Sequence, residues 1–249
     1  MARQKGLLKL RGTIGDVNFF VVKGVGYARM AGGGFNGDAI RTQPNMVRVR
    51  ENASEFGHCS TTKKYFMRAL LPLFSPPKSS VLHRRVMGLF TQLKDLDSIS
   101  TRGMRRVGQG ILTHKGKRLV QDFAFVPENQ ALDFVLSGSS FDLDTQTLSF
   151  ASIDLRSLGF PKGASHLAVT MGVLDFDFDA LSYVLNTSST RFLEKGVLEN
   201  SFVLSPELIR IPTSTGMLVV GVSFCEVIGD EVYMLKGLNA MDCQLSVVS

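Results

Sequence analysis

His166-Leu167-Ala168-Val169-Thr170-Met171-Gly172-Val173-Leu174-Asp175-Phe176-Asp177-Phe178 is the stretch that decides the fold. It is rich in Val, Leu and Phe and ends in strict alternation. In an extended chain successive side chains point to opposite sides, so Phe176 and Phe178 are expected in a core and Asp175, Asp177 and Asp179 in solvent. The same composition recurs at residues 119–126, 132–136, 148–155, 191–204, 217–228 and 241–248. Turn formers separate these runs, among them Pro127-Glu128-Asn129, Ser137-Gly138-Ser139, Gly159-Phe160-Pro161 and Gly229-Asp230. About seven short strands at this spacing predict an antiparallel β-sandwich.

Upstream of residue 119 the period changes. Residues 42–74 read as helical, with Met46, Val49, Ala53 and Phe56 at steps of three and four. Residues 57–62 are expected to interrupt the helix, and Phe66, Met67, Leu70, Leu71 and Phe74 to continue its stripe. After Ser75-Pro76-Pro77, Ser79 or Ser80 can cap a second helix with Leu82, Val86, Leu89, Phe90 and Leu93 on one face. Residues 102–118, rich in Gly, Arg and Lys, read as a basic connector with room for a short helix. At the N-terminus, the run Leu7-Leu8-Lys9-Leu10, residues 17–22 and residues 27–30 read as a β-meander, joined by glycine-containing turns. Residues 31–37 then read as a connector. The fold class predicted is α+β: a small N-terminal β-meander plus basic helices over 1–118, followed by an acidic antiparallel β-sandwich over 119–249.

Charge supports that junction. The 249 residues carry a net charge of +6, but residues 1–120 hold 22 basic and 6 acidic side chains, and residues 121–249 hold 6 and 16. The halves therefore carry +16 and −10, which points to interaction surfaces. Candidate contacts to a partner or to phosphate are Arg48, Arg50, Lys63, Lys64, Arg68, Arg84, Arg85, Arg102, Arg105, Arg106, Lys115, Lys117 and Arg118. Asp175, Asp177 and Asp179 form the candidate acidic counter-surface.

Catalytic and metal motifs find little support. Gly24 to Gly37 lacks the spacing of a phosphate loop, and no Gly-Lys-Ser or Gly-Lys-Thr occurs. Asp175 to Asp179 opens like a calcium loop, but Ala180 and Asn186 stand where glycine and glutamate belong. Gly221-Val222-Ser223-Phe224-Cys225 lacks the closing glycine of a nucleophile elbow. His58, His83, His114 and His166 are scattered and read as surface residues. The three cysteines argue for no disulfide framework, and no apolar run reaches the ~18–20 residues of a membrane helix. The reading expects no cofactor, no membrane partner and a cytoplasmic location.

Ala2-Arg3-Gln4-Lys5-Gly6, Gly12-Thr13-Ile14-Gly15-Asp16, Phe19, Gly26-Tyr27-Ala28-Arg29, Gly32-Gly33, Arg50-Glu51-Asn52 and Glu55-Phe56-Gly57 together resemble an uncharacterised family of hypothetical proteins from Bacteroidota. The resemblance spans roughly residues 2–75. The chain departs from it near residues 23–25 and at Met30 and Ala31, where the family often carries charge. The resemblance implies a structural module and transfers no functional residue.

The expected function is non-enzymatic: a structural or scaffold protein that forms a homo-oligomer or binds protein partners. Basic–acidic complementarity would set the register, and residues 7–11 would add to a neighbouring sheet edge. Nucleic-acid binding by the basic half, with Phe19, Phe20, Tyr27 or Phe35 stacking on bases, is the alternative.

Overall fold

Residues 17–30 form the hairpin that organises the N-terminal part of the chain. β3 (Val17–Val22) and β4 (Val25–Met30) pair antiparallel across a two-residue turn, with Lys23 and Gly24 at φ 48° and 79°. Positive φ at both turn positions matches the right-handed twist of the strands it joins. β1 (Ala2–Arg3) pairs with β4 and β2 (Gly12–Ile14) with β3, giving a four-stranded sheet in the order β1-β4-β3-β2. The coordinates are a computed structural model that describes residues 1–6, 8–31, 37–209 and 212–248. Leu7, Phe35 and most of the glycine connector lie outside them. The rest of the expected strand at residues 7–11 is not in the ladder. The Gln4 side chain bridges instead to the backbone of Leu10, accepting from its N–H and donating to its carbonyl.

The chain divides into two compact units, Met1–Asn52 and Ala53–Ser249. After α1 (Gly37–Thr42) and one 3-10 turn at Pro44–Met46 come α2 (Val47–Ala69), α3 (Ser80–Asp95), α4 (Val107–Ile111), α5 (His114–Gln121) and α6 (Ala131–Leu136). Strands follow: β5 (Ser140–Asp142), β6 (Thr147–Phe150), β7 (Ile153–Asp154), β8 (His166–Asp177), β9 (Ser182–Thr187), β10 (Arg191–Glu194), β11 (Leu198–Glu199), β12 (Phe202–Leu204), β13 (Thr215–Ile228), β14 (Glu231–Met234) and β15 (Met241–Val247). The arrangement is α+β, with helices and strands segregated along the chain.

β8 and β13 lie side by side at the centre of a six-stranded antiparallel sheet. β10 and β9 share the outer edge of β8, and β15 and β14 share the outer edge of β13. Both central strands are apolar on both faces. On one face Leu174, Phe176, Met217 and Val219 join a core with Cys59, Phe66, Phe90 and Ile111 of the helices. On the other, Val169, Met171, Val220 and Val222 pack with Val135 of α6, Leu148 and Phe150 of β6 and Leu204 of β12. The small β5-β6-β12 and β7-β11 sheets thus cover the second face in a sandwich-like pairing, and the helices cover the first. A strand buried on both faces reads as a near-continuous apolar run, as residues 167–174 do.

Several sequence expectations change. Residues 57–62 do not interrupt α2. Its buried positions are Glu55, Cys59, Thr62, Phe66 and Ala69, whereas Phe56 is 62% exposed. The stripe was misread because one buried position is ionic. Residues 119–126 and 132–136 contribute to α5 and form α6 rather than strands; short apolar runs do not distinguish the two periods. Residue 118 falls inside α5, and Val107, Ile111, Val120 and Phe125 share one core. The change in period there lies within the second unit.

Residues 102–118 hold more helix than the one short helix expected: all of α4 and the start of α5. Gly110 in α4 crosses the end of α3 so closely that a Cβ would lie 1.7 Å from the Leu93 carbonyl oxygen, and a Cβ at Gly116 would lie 2.0 Å from that of Gly110. These glycines allow α3, α4 and α5 to touch backbone to backbone. Gly110→Ala is expected to destabilise the second unit by roughly 3 kcal/mol or more, the upper range for overpacking. Urea denaturation should show the loss, with Gly57→Ala, in open space, as the tolerated comparison.

Candidate functional site

The register of the N-terminal sheet sorts its side chains into two unlike faces. Residues opposite one another in an antiparallel ladder share a face. One face therefore carries Ala2, Gly12, Ile14, Val17, Phe19, Val21, Gly26, Ala28 and Met30, all apolar or glycine, with Gln4 beside Gly26. The other carries Arg3, Thr13, Asn18, Phe20, Tyr27 and Arg29, with Val22 and Val25 beside the turn. Phe20 and Tyr27 stack there with ring centroids 5.7 Å apart, and the Arg29 guanidinium lies over Phe20. Among the described residues of Met1–Asn52 only Gly26 is buried; Ile14 is 65% and Met30 76% exposed. None of the described apolar side chains of this unit is buried.

The basic residues singled out from sequence do not form one patch. Arg105 and Lys94 converge on Glu55, which is 2% exposed: Arg105 Nε and Nη2 each donate to it at 2.8 Å, and so does Lys94 Nζ. The Gly103 N–H adds a bond of 2.7 Å, and Asp95 closes the network from outside. Arg105, opposed by burial but helped by Lys94, holds the Glu55 carboxyl far below the usual carboxylate range. Next to it, burial would raise the Asp97 carboxyl, but the N–H groups of Ser100, Arg106 and Ile99 outweigh it and hold it low. His58 is not a surface residue: it is half-buried and accepts from the Val107 N–H, and burial together with Arg106 pushes its pKa down. Arg105 is thus a structural cation.

Other candidates are also engaged locally. Arg85 donates to the Ala124 carbonyl and lies over Phe123, and Arg68 lies over Tyr65. Arg48 pairs with Glu51, Arg50 donates to the carbonyls of Ile40 and Gln43, and Arg118 faces Asp122. Arg102 is exposed and has a partner too, and Arg106 meets His58. Lys64, Arg84, Lys115 and Lys117 form no ion pair among the described residues. Of the acidic candidates, Asp175 accepts from Thr213 and Ser214 and Asp177 from the N–H groups of Asp179 and Ala180, so both anchor loops; Asp179 is exposed.

The unit division redraws the charge map. Met1–Asn52 holds 9 basic and 3 acidic residues, a net of +6; Ala53–Ser249 holds 19 of each, a net of zero. Within the second unit, residues 53–118 hold 13 basic and 3 acidic, and residues 119–249 hold 6 and 16. All of the excess positive charge belongs to the first unit.

Two polar features escaped the sequence reading. One is Glu55, hidden because its partners lie some 40 and 50 residues away. The other is Asp242, 4% exposed on β15, whose Oδ1 accepts from the N–H groups of Val126 and Cys243. It lines a polar cavity of about 270 Å³ with Asn129, Asp133 and Gln244, and burial pushes its pKa up to about 7. Among the described residues no group of three or more His, Cys, Asp and Glu is placed to hold a metal ion, and no helix is long and apolar enough to cross a membrane. Comparison of the chain with protein-family models, with curated proteins and with solved structures gives no match.

Glu55→Gln should cost about 3–5 kcal/mol in urea denaturation near neutral pH, because it leaves Arg105 and Lys94 short of a buried counter-charge. Glu55 has a depressed folded pKa, so its contribution is present above the ordinary carboxylate value and lost as pH falls below it. The variant should lose less stability on acidification than the wild type. Asp242 has the opposite sign. The folded state holds its proton more tightly between the ordinary carboxylate value of 3.8 and about 7, so stability falls as pH rises through that window. Asp242→Asn keeps the acceptor oxygen and should remove that decline, read from denaturation midpoints at successive pH values.

Proposed function

We propose that the protein is a non-enzymatic structural protein that self-associates, its N-terminal unit completing a core against a second copy of the chain. The observation that carries this reading is the apolar sheet face from Ala2 to Met30 in a unit that buries no apolar side chain among its described residues. A four-stranded sheet needs a covering layer for stability, and a contiguous exposed apolar face marks an interface. Charge favours a second copy as the cover. The N-terminal unit carries +6, and residues 119–249 carry 6 basic against 16 acidic side chains. Exposed ion pairs contribute ~0–1 kcal/mol each, so they orient the contact while apolar burial supplies affinity. A contact between unlike surfaces propagates head to tail and ends in a ring or a filament.

The opposite face supports a second reading. Phe20 and Tyr27 stacked beside Arg3 and Arg29 make a platform of the kind that binds single-stranded nucleic acid. That reading predicts binding of a labelled oligonucleotide that weakens steeply with salt and is lost in Phe20→Ala.

Sedimentation velocity of the full chain in low salt tests the first reading. Species larger than a monomer are expected, growing with concentration. Val21→Asp and Met30→Asp should both disperse them and leave the urea transition of the second unit unchanged. Met30 is exposed, so its substitution perturbs the monomer least. A wild-type monomer at every concentration, or both variants associating like the wild type, overturns self-association.

A further inference from the structure

The antiparallel packing of α2 and α3 leaves a groove of about 500 Å³ lined by Ser60, Thr61, Lys63, Lys64, Met67, Ser79, Leu82, His83 and Val86. Its polar and apolar groups are segregated by chemistry. Met67, Leu82 and Val86 supply an apolar floor continuous with the helical core. Lys63, Lys64 and His83 supply cationic or protonatable groups and no carboxylate lines the groove. Lys63 Nζ lies 2.5 Å from His83 Nδ1. Burial disfavours the charged form of Lys63. An anion beside Lys63 would relieve that cost, and no protein carboxylate among the described residues does so.

The N-terminal end of α3 borders the groove at Ser79. Ser79, the N-cap, takes the Leu82 N–H on its hydroxyl, and its carbonyl takes the His83 N–H. Helix geometry leaves the N–H groups of Ser80 and Val81 without an intrahelical acceptor, at the positive end of a sixteen-residue helix. The groove therefore combines two lysines, an imidazole and an apolar floor, within the volume range of small-ligand sites.

We propose that the α2–α3 groove binds a small anionic amphiphile, its carboxylate or phosphate head held by Lys63, Lys64 and His83 and its apolar chain laid over Met67, Leu82 and Val86. The site lies wholly within the second unit, so the inference does not depend on self-association.

Titration of the full chain with decanoate, decyl phosphate, decanol and inorganic phosphate, followed by NMR of the His83 ring and the Met67 methyl, tests it. Both amphiphiles should bind and shift both signals, while decanol and inorganic phosphate bind at least about tenfold more weakly, the equivalent of one charge-assisted hydrogen bond or one buried segment of chain. Preference for decanoate or for decyl phosphate identifies the head. The double variant K63Q/H83Q should lose about tenfold in amphiphile affinity, and Lys115→Gln, on another helix, should lose none. Thermal melting checks that the double variant is folded; if it is not, Lys64→Gln gives the same readout from an exposed position. Inorganic phosphate or decanol matching the amphiphiles, absence of binding by all four probes, or unchanged affinity in a folded variant overturns the proposal.

Discussion

Burial of β8 and β13 on both faces is the constraint from which the second unit follows. Strands apolar on both sides cannot leave either one to water, so the sheet they centre requires two covering layers. The helices supply one, through Phe66, Phe90 and Ile111, and the small β5-β6-β12 and β7-β11 sheets with α6 supply the other. Gly172 and Gly221, where a Cβ would crowd the Leu73 region, let the turn after α2 lie directly on the sheet. The Glu55 network then fixes α2 against α3 and the 103–105 segment by charge where a hydrophobic contact would otherwise stand.

The first unit is built under the opposite condition. Its hairpin is specified locally, by positive φ at Lys23 and Gly24 and by β-branched and aromatic strands. Nothing described within residues 1–52 buries its apolar face. A sheet whose apolar face no described residue of its own unit buries gains stability from any layer that covers it. The whole net charge of the chain sits on this unit, so the choice of cover is also electrostatic.

The α+β class, the hairpin at residues 17–30, the Ser79 cap and the buried stripe of α3 were legible in the sequence because each rests on local pattern. Glu55, the exposure of Phe56 and the helical state of residues 132–136 were not. Glu55 is buried only because Lys94 and Arg105 reach it from distant positions, and no period reveals an ionic core residue. The cation list was legible as composition but not as a surface. Arg105, Arg85 and Arg50 are engaged by groups that the fold brings to them, while Lys63 and Lys64 acquire meaning only when α3 places His83 opposite. The apolar face of the first sheet could have been found from alternation once the register was known, which sequence alone left open.

Amide hydrogen exchange across a concentration series tests the division between a self-sufficient unit and a dependent one. The account predicts that protection of β3 and β4 rises with protein concentration while protection of β8 and β13 stays constant. Protection of β3 and β4 that is high and independent of concentration would contradict it.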